Sequence, residues 1–366
     1  MNILIRCDAS ISIGSGHVMR CLTIARALRE IGHHCVFLTK SHRGNLISSL
    51  RHEKFDVFTI THNTTQEYVD EAQWLGGTQE EDATESLRIC QLNHFVPDLL
   101  IIDHYALDKM WEQQMRQSFP RTRLVVFDDL ANRKHDCDIL IDSSPGRLPQ
   151  HYTGLITEKC LCLTGPFYAL MQQKFNTLRE QAMLRRKQCI HPRRILITMG
   201  GVDIDNIAGK VLIYIEKILL DVPEVITLVV GKNYPHLEKL KTYSAVHNLP
   251  VNIKVNVNNM AELMLEHDIA IGALGVTFLE RCALGLPGIN IAIAANQQPL
   301  VERLQNQGFL MFKDTSFSAS AFSSAWSFLL SNYQHSVEIA FALGDGKGME
   351  RVITLLTENE TPGRLK

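Results

Sequence analysis

The sequence predicts an α/β protein of two Rossmann-like domains, each a doubly wound parallel sheet. Three observations predict it. Short continuous apolar runs such as Leu99–Ile102 and Leu124–Phe127 alternate with stretches of helical periodicity, the pattern of strands covered on both faces by crossover helices. A strand, a glycine turn and a helix occur twice, first over residues 1–30 and again from Arg194 onward. At 366 residues the chain also exceeds the size at which one core usually keeps growing.

Composition narrows the class of function. Hydrophobic content of 45% and charged content of 21% are those of a soluble globular protein. A formal net charge of −2 argues against a dedicated nucleic-acid binder, while leaving room for a local basic cleft that takes a diphosphate. No apolar run is long enough to span a bilayer, and the N-terminus lacks a cationic then apolar leader. Nine cysteines without a C-x-x-C pair predict reduced thiols and a cytoplasmic location.

The first strand, Met1–Ile5, runs into a polar turn that holds Asp8, Ser10, Gly14 and Gly16. Val18, Leu22, Ala25 and Leu28 then recur at helical spacing. Glycines let a backbone come close to phosphate, and a helix N-terminus offers free N–H groups with a positive dipole. His17 sits where this helix begins, so its charged form is disfavoured and it is a candidate base near neutral pH. Arg20, one turn on, falls on the same side and could hold an anion. A tight crossover with an incidental histidine fits the same residues.

Further strands are expected at His34–Leu38 and Val57–Ile60, with helical stretches at Gln66–Trp74 and Glu80–Asn93. Leu99–Ile102 ends in Asp103-His104-Tyr105, polar residues at the carboxyl end of a parallel strand, where open α/β sheets bind ligands. A capped turn into the helix of Trp111 and Met115 is the simpler reading. Leu124–Phe127 closes on Asp128-Asp129, and Ile139–Ile141 on Asp142-Ser143-Ser144. Asp136-x-Asp138 and Asp203-x-Asp205 match a pattern too short to be specific, and no H-E-x-x-H or Cys/His quartet occurs, so neither metal nor cofactor is predicted.

Periodicity lapses between Leu148 and Pro166, and a basic stretch follows to Lys187. The first domain is therefore set at residues 1–165, the connection at 166–192 and the second domain at 193–366, ending in a helical tail. Arg194–Met199 restarts the strand pattern and runs into Gly200-Gly201-x-Asp203-x-x-Asn206. Later, Gly275-Val276 opens a helix that carries Glu280, and Asn296-Gln297 follows the strand Gly288–Ala294. Glu280 could be an ordinary helix charge beside Arg281. The tail has helical periodicity over Phe322–Leu330 and Met349–Leu356.

Asp8-x-Ser10 followed by Ile13-Gly14-x-Gly16-His17-x-x-Arg20 resembles the N-terminal signature of the UDP-sugar hydrolases of pseudaminic acid biosynthesis, relatives of MurG-type glycosyltransferases that use water as acceptor. Asp103-His104-Tyr105 and Glu280-Arg281-Cys282-Ala283-Leu284-Gly285-Leu286-Pro287 are similar to later motifs of that family, in the same order. The resemblance implies a glycosyltransferase-B fold, two domains facing a central cleft between Gly16-His17 and the second domain's glycine turns, with a terminal helix at Met349–Leu356 that could cross back to the first domain. It implies His17 as general base. It also implies substrate contacts from Asp8, Gly14, Gly16, Arg20, Asp103, Tyr105, Gln172, Gly200, Gly201, Asp203, Asn206, Gly275, Val276, Glu280, Asn296 and Gln297. Glu280 would accept hydrogen bonds from the ribose hydroxyls.

The implied reaction is metal-independent hydrolysis of a UDP-activated 2,4-diacetamido-2,4,6-trideoxy-L-altrose. The partner is then the UDP-sugar, with no nucleic acid and no stable membrane insertion. The chain departs from the family at Gln172, where an arginine is usual. It departs again at Leu274 and Val276, where small residues and a serine are usual, and at Leu279, often aromatic. These departures imply a more apolar nucleotide pocket. A transferase with a sugar or lipid acceptor and a non-catalytic nucleotide-sugar binder are the alternatives, and turnover by the purified protein separates the binder from both enzymes.

Overall fold

The computed structural model describes residues 1–61, 70–218, 223–232, 234–294 and 297–358. The helical stretch expected at Gln66–Trp74 lies partly outside them; within them only a short turn of helix at Glu71–Gln73 is present. The chain forms two compact units, Met1–Leu170 together with the segment from Gly348, and Met171–Lys347. This differs from a division at 166–192 and 193. The basic stretch expected as a connection is a helix of the second unit, and the Met349–Leu356 helix, set within 193–366 but expected to be able to cross back, belongs to the first. Packing sets both differences, as follows.

In the first unit, β1 (Asn2–Cys7), α1 (Gly16–Glu30), β2 (His34–Lys40), α2 (Ile47–His52), β3 (Asp56–Ile60), α3 (Gln79–Leu92), β4 (Leu99–Asp103), α4 (Lys109–Ser118), β5 (Arg123–Phe127), β6 (Ile139–Asp142) and β7 (Leu161–Thr164) follow in order. The seven strands are parallel, in the order β3-β2-β1-β4-β5-β6-β7. Strand order reverses between β1 and β4, which places the ligand-binding switch point of such a sheet at Cys7–Asp8 and Asp103.

The alternation along β1 divides two cores. Ile3, Ile5 and Cys7 pack with Val18, Leu22 and Leu28 of α1, while Leu4 faces Ala83 of α3 and Trp111 of α4. Arg6 points the second way and is fully buried, so its charge requires partners there. It bonds Asp8 at 2.6 Å and Asp82 of α3 at 2.9 and 3.2 Å. Lys40 at 3.0 Å and the Trp111 indole N–H at 3.0 Å complete the surround of Asp82. Thr78 and Glu81 cap α3 reciprocally, fixing the helix that supplies Asp82.

In the second unit, α5 (Gln173–Gln188), β8 (Arg194–Thr198), α6 (Ile207–Ile218), β9 (Val225–Val230), α7 (Leu237–Val246), β10 (Val251–Val255), α8 (Met260–Glu266), β11 (Ile269–Ala273), α9 (Val276–Ala283), β12 (Gly288–Ile291), α10 (Gln298–Asn306), β13 (Leu310–Phe312), α11 (Ala319–Ser331) and α12 (Tyr333–Leu343) follow. The six parallel strands run β10-β9-β8-β11-β12-β13, with the switch point between β8 and β11. α5 is held here by Arg186, which is fully buried and bonds carbonyls instead of a carboxylate among the described residues. Its guanidinium donates to the carbonyls of Met264, His267 and Leu284, at the carboxyl ends of α8 and α9. A cation at a helix C-terminus is favoured by the dipole.

The last helix, α13 (Gly348–Thr357), returns to the first unit. Met349, Val352 and Leu356 enter the core shared by α1 and β1, and Arg123 donates to the Leu355 carbonyl at 2.9 Å. A Cβ at Gly348 would stand 2.3 Å from the Ala169 carbonyl oxygen, so only glycine admits this approach.

Candidate active site

The turn after β1 is shaped by its own side chains. Ser10 Oγ accepts from the N–H groups of Ser12 and Ile13 at 3.1 and 2.9 Å, and the Gly14 N–H donates to the Ser10 carbonyl at 2.9 Å. Gly14 takes φ = +77°, a left-handed conformation that glycine adopts without steric cost. Ser15 stands at the N-cap of α1 and makes no capping bond, and Gly14, Ser15 and Gly16 are exposed. The start of α1 is therefore open.

His17 leans from this open end onto the carboxyl end of β4. Its Nδ1 lies 2.6 Å from Asp103 Oδ1, and only 8% of the residue is exposed. Burial alone would raise the Asp103 carboxyl. The Arg20 guanidinium and His17 hold it well below the usual carboxylate range, so it is ionised and accepts. Nδ1 then carries a proton, so in the neutral tautomer the lone pair is on Nε2. Tyr105 packs edge-on to the imidazole with centroids 4.5 Å apart, and Trp74 at 6.2 Å. Tyr105 and Trp74 stack on each other at 5.7 Å.

Arg20 is occupied on both sides. It donates to Asp103 through Nε at 2.8 Å and Nη2 at 2.7 Å, and to Asp129 through Nη1 at 2.8 and 3.0 Å. Tyr105 donates its hydroxyl to Asp129 at 2.8 Å. Burial and the Asp129 charge push that phenol up, keeping it a donor. Asp103 and Arg20, expected to touch substrate, are thus bound first to each other. Asp8 is corrected in the same sense. Its carboxyl is fully buried, Oδ1 accepting from Arg6 at 2.6 Å and the Lys40 N–H at 2.7 Å and Oδ2 lying 3.2 Å from His104, so it faces these residues and not solvent.

At the second switch point the glycine turn is closed. Gly200 takes φ = +85° and is exposed with Gly201, but the Asp203 carboxylate caps α6, accepting from Ile207 and Ala208 at 2.8 and 2.9 Å. A phosphate cannot take the same N–H groups. Asn206 accepts from the Tyr234 hydroxyl at 2.5 Å and the Gly209 N–H at 3.3 Å, and serves the turn. Gln297 bonds the Ile293 N–H and the Leu274 carbonyl, bracing the loop rather than facing a ligand. Gln172 is exposed at the start of α5. Asn296 lies outside the described residues.

One helix end is open here too. Gly275 and Val276 are exposed at the start of α9, where no side chain caps the helix. Glu280, one turn on, is half-buried and has no hydrogen bond or ion pair among the described residues. Burial pushes its carboxyl up to about 7, with Arg281 opposing. Leu274, expected in the nucleotide pocket, is instead core, packed with Phe278, Cys282 and Ala292. Asp136 and Asp138 both face Arg116, at 3.6 and 3.3 Å. Trp74, Asp82 and Asp129 went unread as site residues; only Asp129, closing an apolar strand, carried a sequence signal.

No family model matches the chain. An uncharacterised protein of Methanocaldococcus jannaschii is 27% identical over 78% of the chain, which spans about half of that relative's length (54%). The UDP-2,4-diacetamido-2,4,6-trideoxy-β-L-altropyranose hydrolase of Campylobacter jejuni is 25% identical over 84% of the chain and 98% of its own, so the resemblance read from residues 8–20 is borne out. The structure of Acinetobacter baumannii MurG superposes with a TM-score of 0.67 over 97% of this chain and 98% of that one, at 14% identity. The fold is of the glycosyltransferase-B type.

Proposed function

We propose that this protein hydrolyses a UDP-activated 2,4-diacetamido-2,4,6-trideoxy-L-altrose to UDP and free sugar, in pseudaminic acid biosynthesis. The observation that carries the proposal is the 2.6 Å contact between His17 Nδ1 and Asp103, which orients the ring and supports Nε2 as the atom that takes the proton from water. Water, deprotonated by His17, attacks the anomeric carbon. The bond from that carbon to the UDP oxygen breaks, and the proton resides on Nε2. General base catalysis of this kind contributes roughly 10²–10⁴-fold. The sugar's identity is supported by the similarity to the Campylobacter hydrolase. The nucleotide is assigned to the second unit, its diphosphate to the open start of α9 and its ribose hydroxyls to Glu280, a carboxylate without a protein partner among the described residues.

A single displacement inverts the anomeric carbon, since the proposed route uses no carboxylate nucleophile. The test is hydrolysis in ¹⁸O-labelled water with the first-formed sugar followed by NMR. The label is expected in the sugar, with none in UDP, and the inverted anomer is expected first. Label in UDP would mean attack on phosphorus, and a retained anomer a covalent intermediate; either ends the proposal. Turnover is expected to survive chelation, because Asp136 and Asp138 both pair with Arg116 and Asp203 is a helix cap.

A further inference from the structure

The contacts around His17 form a closed circuit. His17 bonds Asp103, Asp103 bonds Arg20, Arg20 bonds Asp129, Asp129 accepts from Tyr105, and the Tyr105 ring packs back on His17. Three elements contribute: the start of α1, the end of β4 and the end of β5. The Asp103 carboxylate has two oxygens, and each is doubly engaged. Oδ1 accepts from His17 and Arg20 Nη2, while Oδ2 accepts from Arg20 Nε and, at 3.6 Å, from the Cys21 thiol. A carboxylate with its acceptor sites filled cannot rotate without losing a bond, so the direction in which it holds the imidazole is fixed.

Charge separates this arrangement from an anion site. Arg20 carries one positive charge between two carboxylates, so the trio is net negative. Burial alone would lower the guanidinium, and Asp103 and Asp129 more than offset it. A diphosphate approaching Arg20 would meet two like charges at contact distance. The same net negative charge favours the proton that His17 gains when water is deprotonated.

We propose that Asp129 and Tyr105 are positioning residues for the His17 base, acting through Arg20, which bridges the two carboxylates instead of binding the substrate's phosphates. This rests on His17 being the base. Asp129 holds Arg20 flat against Asp103. Tyr105, pinned by its hydroxyl to Asp129, packs its ring at right angles to the imidazole. Other titratable and charged groups face this circuit: Cys21 toward Asp103, His104 beside Tyr105 and lowered by burial, Arg133 over the Tyr105 ring at 5.6 Å, and Arg147, which donates to the Asp129 carbonyl at 2.6 Å and pairs with Asp142.

The test follows the His17 ring by NMR titration in the full-length protein, its signal identified by loss in His17→Gln, alongside steady-state kinetics. Asp129→Asn is expected to lower the imidazole pKa by about half a unit or more, because a negative charge that favours imidazolium is removed. It should lower kcat about tenfold with KM and UDP affinity unchanged, the mark of an interaction used only in the transition state. Asp129→Glu restores both. Arg20→Lys keeps the charge but cannot span two carboxylates, and should lower kcat similarly without weakening UDP; Tyr105→Phe should act more mildly in the same direction. A wild-type titration and kcat in Asp129→Asn would overturn the proposal. So would UDP binding that tightens in Asp129→Asn and weakens in Arg20→Lys, which would return Arg20 to the phosphates. Should Asp129→Asn fail to fold, Arg20→Lys and Tyr105→Phe decide between these outcomes. A His17→Gln variant that kept its turnover would end the base assignment, while the ring titration would still report whether Asp129 governs His17.

Discussion

At the carboxyl end of the first sheet, Asp103, Arg20, Asp129 and Tyr105 are bonded to one another, and Asp8, Arg6, Asp82 and Lys40 form a second buried set beneath them. At the same end of the second sheet, Glu280 stands without a hydrogen bond or ion pair among the described residues. The topologies match, and both switch points carry glycine turns. They differ in where polar groups find partners. The first unit has spent its charges on fixing a single imidazole, which suits chemistry that requires an oriented base. The second has spent Asp203 and Gln297 on closing its turns, while Glu280 and the exposed start of α9 lack side-chain partners among the described residues, which suits a ligand that supplies donors and negative charge.

The largest expected effect tests the buried half of the contrast. Asp82→Ala leaves the buried Lys40 without its carboxylate and Arg6 with Asp8 alone, and should destabilise the first unit by about 3–5 kcal/mol. Denaturant unfolding with little change would mean water already reaches these charges. Next comes His17→Ala, expected to lower turnover about 100-fold or more while UDP affinity stays put. A near-wild-type rate would remove the chemistry from the first unit.

Glu280→Ala should show the reverse profile, weakening UDP by roughly 1.5–3 kcal/mol, as for a hydrogen bond to a charged group. Calorimetry with an unchanged Kd would break the contrast from the other side. The sign of its pH dependence follows from the raised carboxyl. Ribose hydroxyls donate to the ionised form, so UDP binding should tighten as pH rises toward about 7 and level off above it. Glu280→Gln should flatten that rise. The smallest effect is expected at Asp203→Ala, which removes the α6 cap at about 0.5–2 kcal/mol of stability and leaves UDP affinity alone. Weakened UDP there would reopen the second glycine turn as a phosphate site.

Much of this was legible in the residues. Apolar runs located the central strands, glycine turns located both switch points, and His17 stood out because it opens a helix beside them. What escaped was pairing at long range. Asp103 reads as polar at a strand end, but its bond to His17 exists only because β4 lies beside β1, an adjacency set by sheet order rather than by any local pattern. Asp8 and Asp203 sit in motifs that resemble ligand contacts, and a motif does not state whether a carboxylate faces outward or turns back to cap or pair. Leu274 looked like a pocket wall until packed with Phe278. Arg186 gave no sign that three helix-end carbonyls would surround it.

The return of α13 to the first unit imposes an order on synthesis. A nascent chain leaving the ribosome completes Met171–Lys347 before Met349, Val352 and Leu356 are available. The unit that starts first therefore finishes last, its sheet face waiting for a helix made after a whole second fold, although domains commonly mature from the N-terminus onward. The second unit is an insertion, in the sense of a gene, between Leu170 and Gly348. A chain ended after Lys347 would keep the strands and helices of the second unit and leave the first unit without Met349, Val352 and Leu356, its apolar face uncovered.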